Sequence, residues 1–205
     1  MSDAFHIKGL GGKRTLKGTI SVRGAKNAAL KAMAGSILFK GETVFQKIPT
    51  IEVVSRMSDL LRELGGTITQ GKDGALIIST DTLTSSNLAS DISKKLRASI
   101  ILSGPLLARF GKVSFPHPGG CVIGIRPIDL FIEGFEKMGA RVKTAGEGTQ
   151  ARYEIETSSG RLTGAEIFFR NQSVTGTETF MMAGVLAEGE TVLRNAALEP
   201  EIPSL

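Results

Sequence analysis

The sequence predicts an α/β protein built from three repeated βαβαββ-type units, of which the third is incomplete. Gly41-Glu42-Thr43-Val44-Phe45 reads like Gly189-Glu190-Thr191-Val192-Leu193, 148 positions further along the chain. Leu64-Gly65 and Met138-Gly139 are 74 positions apart, which is half that spacing. A fixed internal period of this kind is the mark of a repeated structural unit. We therefore expect one domain with pseudo-threefold symmetry.

Each unit is expected to contain a strand, a helix, a second strand, a second helix and two closing strands. Alternating β-branched and polar residues predict the strands, and Ala, Leu, Met and Ile at helical spacing predict the helices. The predicted opening strands are residues 18–22 and 165–169, and the predicted first helices are residues 28–38, 95–110 and 177–187. The second strands follow at 42–46, 112–115 and 190–194, the second helices at 53–64 and 127–138, and the closing pairs at 67–78 and 141–156.

The third unit stops at Leu205, where the pattern calls for its second helix and closing strands. The sequence is therefore expected to be a fragment of a longer protein, or its third repeat has decayed. Superposing the units places Asn27, Arg97 and Thr175 at or near the first turn of corresponding helices. Helix N-termini favour anions through their unpaired N–H groups and the helix dipole. We expect these three helix starts to converge on one face and to bind an anionic substrate there.

Composition narrows the class of partner. The chain has 205 residues, of which 41% are hydrophobic and 22% charged, so it can build a core. One tyrosine and no tryptophan argue against stacking on single-stranded nucleic acid, and no nucleic-acid partner is expected. The net charge of +5 is spread along the chain and suits an anionic small molecule. No apolar run is long enough for a signal or a membrane span, so a cytoplasmic protein is expected.

The one cysteine, Cys121, lies in a Pro- and Gly-rich stretch that predicts a loop. Arg126, five positions later, would lower the pKa of the thiol and favour proton donation or nucleophilic attack. An inert, half-buried cysteine is the alternative. Two histidines, at positions 6 and 117, and one cysteine make no ligand pattern, so neither a metal nor a cofactor is expected.

Three segments carry a family resemblance: Gly24-Ala25-Lys26-Asn27, Leu96-Arg97-Ala98, and the stretch 118–130 around Cys121. They resemble the UDP-N-acetylglucosamine 1-carboxyvinyltransferases of the enolpyruvyl transferase family, over residues 7–205. The resemblance implies an inside-out α/β barrel domain at residues 16–205. It also implies that residues 1–15 join a second domain, which is absent here, and that the enzyme acts in peptidoglycan synthesis.

The resemblance also implies the site. Cys121 would be the catalytic acid, and the phosphoenolpyruvate-binding residues would be Lys26, Asn27 and Arg126. The residues implied for binding UDP-N-acetylglucosamine are Arg97, Arg126, Pro127, Ile128, Asp129, Leu130, Asn171, Ser173 and Val174. The sequence departs from the family at Thr175, where glycine is common, and at Asn171, where lysine is often found.

Purely structural roles are the alternative interpretation for several of these residues. Lys26 can be a solvated lysine, Asn27 an N-cap, Arg97 a snorkelling side chain and Asp129 a first-turn acid. His117 is expected to be a solvated loop histidine. For the chain as a whole, the rivals are an enzyme like the 3-phosphoshikimate 1-carboxyvinyltransferases of the shikimate pathway and a noncatalytic module that binds a nucleotide sugar.

Overall fold

The computed structural model describes residues 4–12, 14–88, 91–118 and 128–205. Its helices and strands, in chain order, are α1 (Lys26–Gly35), β1 (Glu42–Phe45), α2 (Glu52–Glu63), β2 (Thr67–Gln70), β3 (Leu76–Ser79), α3 (Asp91–Lys95), α4 (Ser103–Phe110), β4 (Lys112–Pro116), α5 (Asp129–Lys137), β5 (Ala140–Ala145), β6 (Arg152–Thr157), β7 (Glu166–Phe168), α6 (Val174–Gly184), β8 (Val192–Arg194) and α7 (Glu201–Ser204). Short 3₁₀ helices cover Ser36–Leu38, Lys72–Gly74, Arg97–Leu102 and Gly148–Gln150.

The first two units form sheets of the same design. The first sheet has the strand order β1-β3-β2 and the second has the order β4-β6-β5, and all neighbours in both sheets are antiparallel. In each sheet the last strand in sequence lies at the centre, between the two that precede it. The repeat predicted from the sequence is therefore present in the strand order of the structure.

The third unit supplies the opening strand of the pattern. Strands β7 and β8 are parallel, with Ile167 opposite Leu193. An isolated parallel bridge between Asn87 and Ser114 repeats this pairing in the second unit. Parallel strands need a crossover connection, and in the third unit that crossover is α6.

Three predicted elements differ clearly from the structure. Residues 18–22 form no strand: Ile20 and Val22 are 91% and 95% exposed, and within the described ranges no strand pairs with this segment. A strand needs a neighbouring strand to hydrogen-bond with, and the alternation of β-branched and polar residues does not show whether one is present. Helix α6 begins three residues earlier than predicted because Ser173 caps it. The predicted helix over 95–110 is divided into the 3₁₀ helix at Arg97–Leu102 and α4.

The core lies among the helices, and the sheets surround it. Helix α4 is buried from Ser103 to Ala108, whereas strand β6 alternates between buried and exposed residues. Helices α4 and α6 pack very closely at Gly104, where an added Cβ would lie 2.3 Å from the Thr179 carbonyl oxygen. Buried helices with sheets exposed on one face match the expected inside-out arrangement.

Of the helices in the described residues, not one combines the length and the apolar character needed to cross a lipid bilayer.

Candidate functional site

A cavity of about 480 Å³ opens between the start of α5 and the start of α6; we call it the α5–α6 cavity. It brings together five residues predicted to bind the nucleotide sugar: Arg97, Asp129, Leu130, Asn171 and Ser173. Its other lining residues are Ala98, Ile100, Phe131, Glu133, Phe168, Arg170, Gln172 and Thr175. The predicted residues come from three separate parts of the sequence, so the fold is what assembles them.

Local structure explains how two of these side chains reach the cavity. Asp129 is the first residue of α5 and follows the buried Ile128. Ser173 is the N-cap of α6, and its hydroxyl oxygen accepts a hydrogen bond from the Gly176 backbone N–H at 3.0 Å. Because the oxygen is the acceptor in this bond, the Ser173 O–H is left to donate. Val174 is half-buried as the first residue of α6.

Arg97 links the cavity to the segment that carries the predicted cysteine loop. It begins its 3₁₀ helix, and its Nη1 donates a long hydrogen bond of 3.5 Å to the Pro118 carbonyl oxygen. Cys121, Arg126 and Pro127 lie outside the described residues, so their predicted roles stay predictions. The Arg97 guanidinium therefore stands beside the last described residue before that segment.

His117 is anchored rather than solvated, which corrects the expectation for a loop histidine. Its backbone N–H donates to the Ala151 carbonyl oxygen at 2.7 Å, and its Nδ1 lies 3.2 Å from the Tyr153 hydroxyl. Burial, followed by the positive charge of Arg97, lowers the pKa of His117 and favours the neutral imidazole. Burial, followed by the negative charge of Asp129, raises the pKa of Tyr153. The contact between the two rings ties the residue after β4 to strand β6.

Lys26 and Asn27 line a different cavity, of about 500 Å³, which we call the α1–α7 cavity. Its other lining residues are Ala25, Ala28, Pro200, Glu201 and Ser204. Helix α1 begins at Lys26 with Ala25 at the N-cap, so Asn27 lies inside the first turn and the alternative N-cap role is wrong. Of the three helix starts expected to converge, those at Arg97 and Thr175 share the α5–α6 cavity, and that at Asn27 does not.

Two larger cavities contain no predicted site residue. One, of about 640 Å³, lies on the second sheet between Lys112, Arg141 and Glu154. The other, of about 760 Å³, is largely apolar and lies beside α1, β1 and α6. Among the described residues, no three His, Cys, Asp or Glu side chains cluster closely enough to hold a metal ion.

Sequence reasoning missed Arg170, Gln172 and Glu133 in the α5–α6 cavity. Arg170 is exposed and lies between the end of β7 and the start of α6. Its position just before a capped helix start was a usable signal, because cationic and helix-terminal donors together favour an anionic ligand. Arg170 also adjoins Asn171, the position at which the family often has a lysine.

The comparisons with known proteins agree with this fold. Residues 10–205 match the family model of EPSP synthase (3-phosphoshikimate 1-carboxyvinyltransferase), and the chain belongs to this family. The chain is 44% identical over 194 residues to UDP-N-acetylglucosamine 1-carboxyvinyltransferase 1 of Symbiobacterium thermophilum, covering 93% of this chain and 43% of the relative. It is 44% identical over 203 residues to the UDP-N-acetylglucosamine 1-carboxyvinyltransferase of Desulforapulum autotrophicum, covering 99% of this chain and 46% of the relative. The chain thus spans less than half the length of these curated relatives.

Solved structures support the fold. The enolpyruvyl transferase NikO from Streptomyces tendae superposes with a TM-score of 0.77 at 17% identity, covering 95% of this chain and 44% of that protein. EPSP synthase from Acinetobacter baumannii gives a TM-score of 0.71 at 22% identity, covering 91% of this chain and 42% of that protein. At these identities the likeness establishes the shared α/β fold.

Proposed function

We propose that this chain is the first-domain part of an enzyme that transfers the enolpyruvyl group of phosphoenolpyruvate to the 3-hydroxyl of UDP-N-acetylglucosamine and releases phosphate. The observation that carries the proposal is the meeting of Arg97, Asp129, Leu130, Asn171 and Ser173 in the α5–α6 cavity. Sequence identities of 44% to relatives that bear the name of this activity favour it over the shikimate-pathway enzyme.

The α5–α6 cavity is the proposed nucleotide-sugar site. A diphosphate needs several positive or N–H donors, and Arg97, Arg170 and the first turn of α6 offer them. The Asp129 carboxylate accepts hydrogen bonds from the ribose hydroxyls or the uracil N–H, and the Ser173 O–H is available to donate. Arg170 thereby supplies the positive charge that Asn171 lacks.

Phosphoenolpyruvate is proposed to bind Lys26, Asn27 and Arg126. Lys26 acts as a compact charge at the start of α1, where the helix dipole also favours an anion. The Cys121 thiol donates a proton to the methylene carbon while the sugar hydroxyl attacks the adjacent carbon. Loss of phosphate and of a methyl proton from the resulting tetrahedral intermediate leaves the enolpyruvyl ether.

The remaining parts of the proposal follow from the family. A second domain, joined through residues 1–15, supplies the base that deprotonates the sugar hydroxyl. The enzyme acts in the cytoplasm, in the synthesis of peptidoglycan, and so affects cell shape and cell division. Its Cys121 thiolate is open to alkylation by an epoxide of the fosfomycin type. Neither a membrane nor a nucleic acid is a partner.

Phosphate release tests this function. The complete polypeptide that contains residues 1–205 is incubated with phosphoenolpyruvate and either UDP-N-acetylglucosamine or shikimate 3-phosphate. We expect phosphate only with the nucleotide sugar, loss of turnover on Cys121→Ala, and partial activity with Cys121→Asp, because a carboxylic acid can also donate the proton. Turnover with shikimate 3-phosphate would overturn the proposal, and tight binding of the nucleotide sugar without turnover would indicate a noncatalytic module.

A further inference from the structure

Lys31 and Glu178 form an ion pair inside the helical core. Lys31 is on α1 and 7% exposed, and Glu178 is on α6 and fully buried. Ala34 and Met182, one turn further along the same helix faces, are buried too. Each buried ion costs several kcal/mol of desolvation, and apolar residues of similar volume often serve stability as well as a buried pair does. Stability therefore does not explain why a charged pair occupies this buried position.

Glu201 is the third member of this group, which we call the Lys31 cluster. It is the first residue of α7, and its Oε1 accepts a hydrogen bond from Lys31 Nζ at 3.3 Å. The backbone N–H of Glu201 itself, then the Lys31 ammonium, and to a smaller extent the Asn27 side chain, lower the pKa of this carboxyl. Glu201 is thus an ionised acceptor for Lys31, and it lines the α1–α7 cavity together with Asn27.

The position of Glu201 bears on how the Asn27 amide is oriented, because both residues line the α1–α7 cavity. An ionised carboxylate only accepts hydrogen bonds, so a Glu201 held in place favours the orientation in which the Asn27 NH₂ group faces it. In that orientation the amide oxygen of Asn27 faces away from Glu201. Asn27 lines the α1–α7 cavity. The orientation of its amide therefore determines whether the NH₂ donor or the carbonyl oxygen acceptor faces a ligand in this cavity.

Glu178 holds the position of Lys31 from the opposite side. Among the described residues, no hydrogen-bond donor other than the Lys31 ammonium reaches the Glu178 carboxylate. Glu178 lies on α6, the helix whose first turn lines the α5–α6 cavity through Thr175. The Lys31 cluster therefore connects the two cavities through the buried faces of α1 and α6.

We propose that Lys31 and Glu178 are positioning residues, which hold Glu201 so that it orients the Asn27 amide toward phosphoenolpyruvate. The inference rests on the proposed function, because phosphoenolpyruvate is the ligand assigned there to Asn27. Lys31 and Glu178 contact no substrate in this scheme. They act only through Glu201 and Asn27.

A double variant separates positioning from stability. Lys31→Met with Glu178→Met replaces both charges by apolar side chains of similar size, so the urea midpoint is expected to equal or exceed that of the wild type. We expect the KM for phosphoenolpyruvate to rise about tenfold, the scale of one hydrogen bond involving a charged group, while the KM for UDP-N-acetylglucosamine stays unchanged. The ¹H–¹⁵N signals of the Asn27 side-chain amide should also shift.

Glu201→Gln is the second variant, because it keeps the buried pair and alters only the acceptor. It should shift the Asn27 amide signals in the same way. If the double variant keeps the wild-type KM for phosphoenolpyruvate and unchanged Asn27 signals, the cluster is structural and the inference is overturned. If the wild-type protein shows no turnover, the proposed function fails, and the Asn27 signals of Glu201→Gln still decide whether Glu201 orients this amide.

Discussion

The α5–α6 cavity and the Lys31 cluster differ in how far their charged side chains are exposed to solvent. Arg170 in the cavity is exposed, whereas Glu178 in the cluster has no exposed surface. An exposed charge contributes little to folding and remains available to a ligand. A buried charge cannot contact a ligand. It can affect ligand binding only through the side chains that it holds in place. The two regions should therefore respond to mutation in opposite ways.

The largest expected effect is on stability, in the Lys31 cluster. At about pH 8, Lys31→Met should lower the free energy of unfolding by about 3 kcal/mol, because Glu178 must then either keep a buried charge without a partner or take up a proton at a pH above its pKa. The measurement is urea denaturation followed by circular dichroism. Arg56→Met is the matched control: it removes the exposed pair with Glu52 on α2 and should change stability by less than about 0.5 kcal/mol. Equal losses in the two variants would contradict the burial argument.

The second effect is a pH dependence of stability. Burial, together with the nearby Glu201 and Glu199 carboxylates, raises the pKa of Glu178 to about 7 against the opposing effect of Lys31. The folded protein thus holds a proton that the unfolded chain has already released, so stability is greatest below about pH 4.5 and falls as the pH rises through 7. The slope contributed by this one group reaches about 1.4 kcal/mol per pH unit.

The test of this slope compares Glu178→Gln with the wild type, because other groups titrate in the same range. The glutamine cannot ionise, so the variant should gain stability relative to the wild type between pH 5 and pH 8. Urea midpoints across this range give the difference curve. A flat curve would show that Glu178 stays ionised throughout.

The third effect is on binding, in the α5–α6 cavity. Arg170→Met should weaken the binding of UDP-N-acetylglucosamine about tenfold, through loss of one charge-assisted contact, with no change in the urea midpoint. Calorimetric titration measures the affinity. Arg161→Met, which removes another exposed arginine of the same unit, is the control and should bind as the wild type does. Equal weakening by both variants would mean that only the net charge matters.

The smallest effect concerns Ser173, which caps α6 and also lines the α5–α6 cavity. Ser173→Ala removes the cap of α6 and should cost about 1 kcal/mol of stability. Ser159→Ala, in an exposed turn, is the control and should be nearly neutral. If Ser173→Ala unfolds at the wild-type urea concentration, the capping bond contributes nothing and the role of Ser173 is confined to the ligand.

The repeat, most of the order of elements and part of the candidate site could be predicted from the sequence. Period and apolar spacing are local patterns, and five residues predicted from the family resemblance meet in one cavity. The strand at 18–22 was wrong because pairing depends on a neighbour that alternation does not reveal. The Lys31–Glu178 pair was missed because its partners lie far apart in sequence, and a lone lysine in a helix indicates a solvated side chain.

The α5–α6 cavity is the proposed binding site of the nucleotide sugar. Its most direct test is a titration of ¹⁵N-labelled protein with UDP-N-acetylglucosamine, followed by ¹H–¹⁵N spectra. We expect the largest shifts on the backbone amides of Asp129, Arg170 and Ser173, and Arg170→Met should need about tenfold more ligand for the same shifts. Shifts confined to the cavity beside Lys112 and Glu154, or no shifts at saturating ligand, would contradict this proposal.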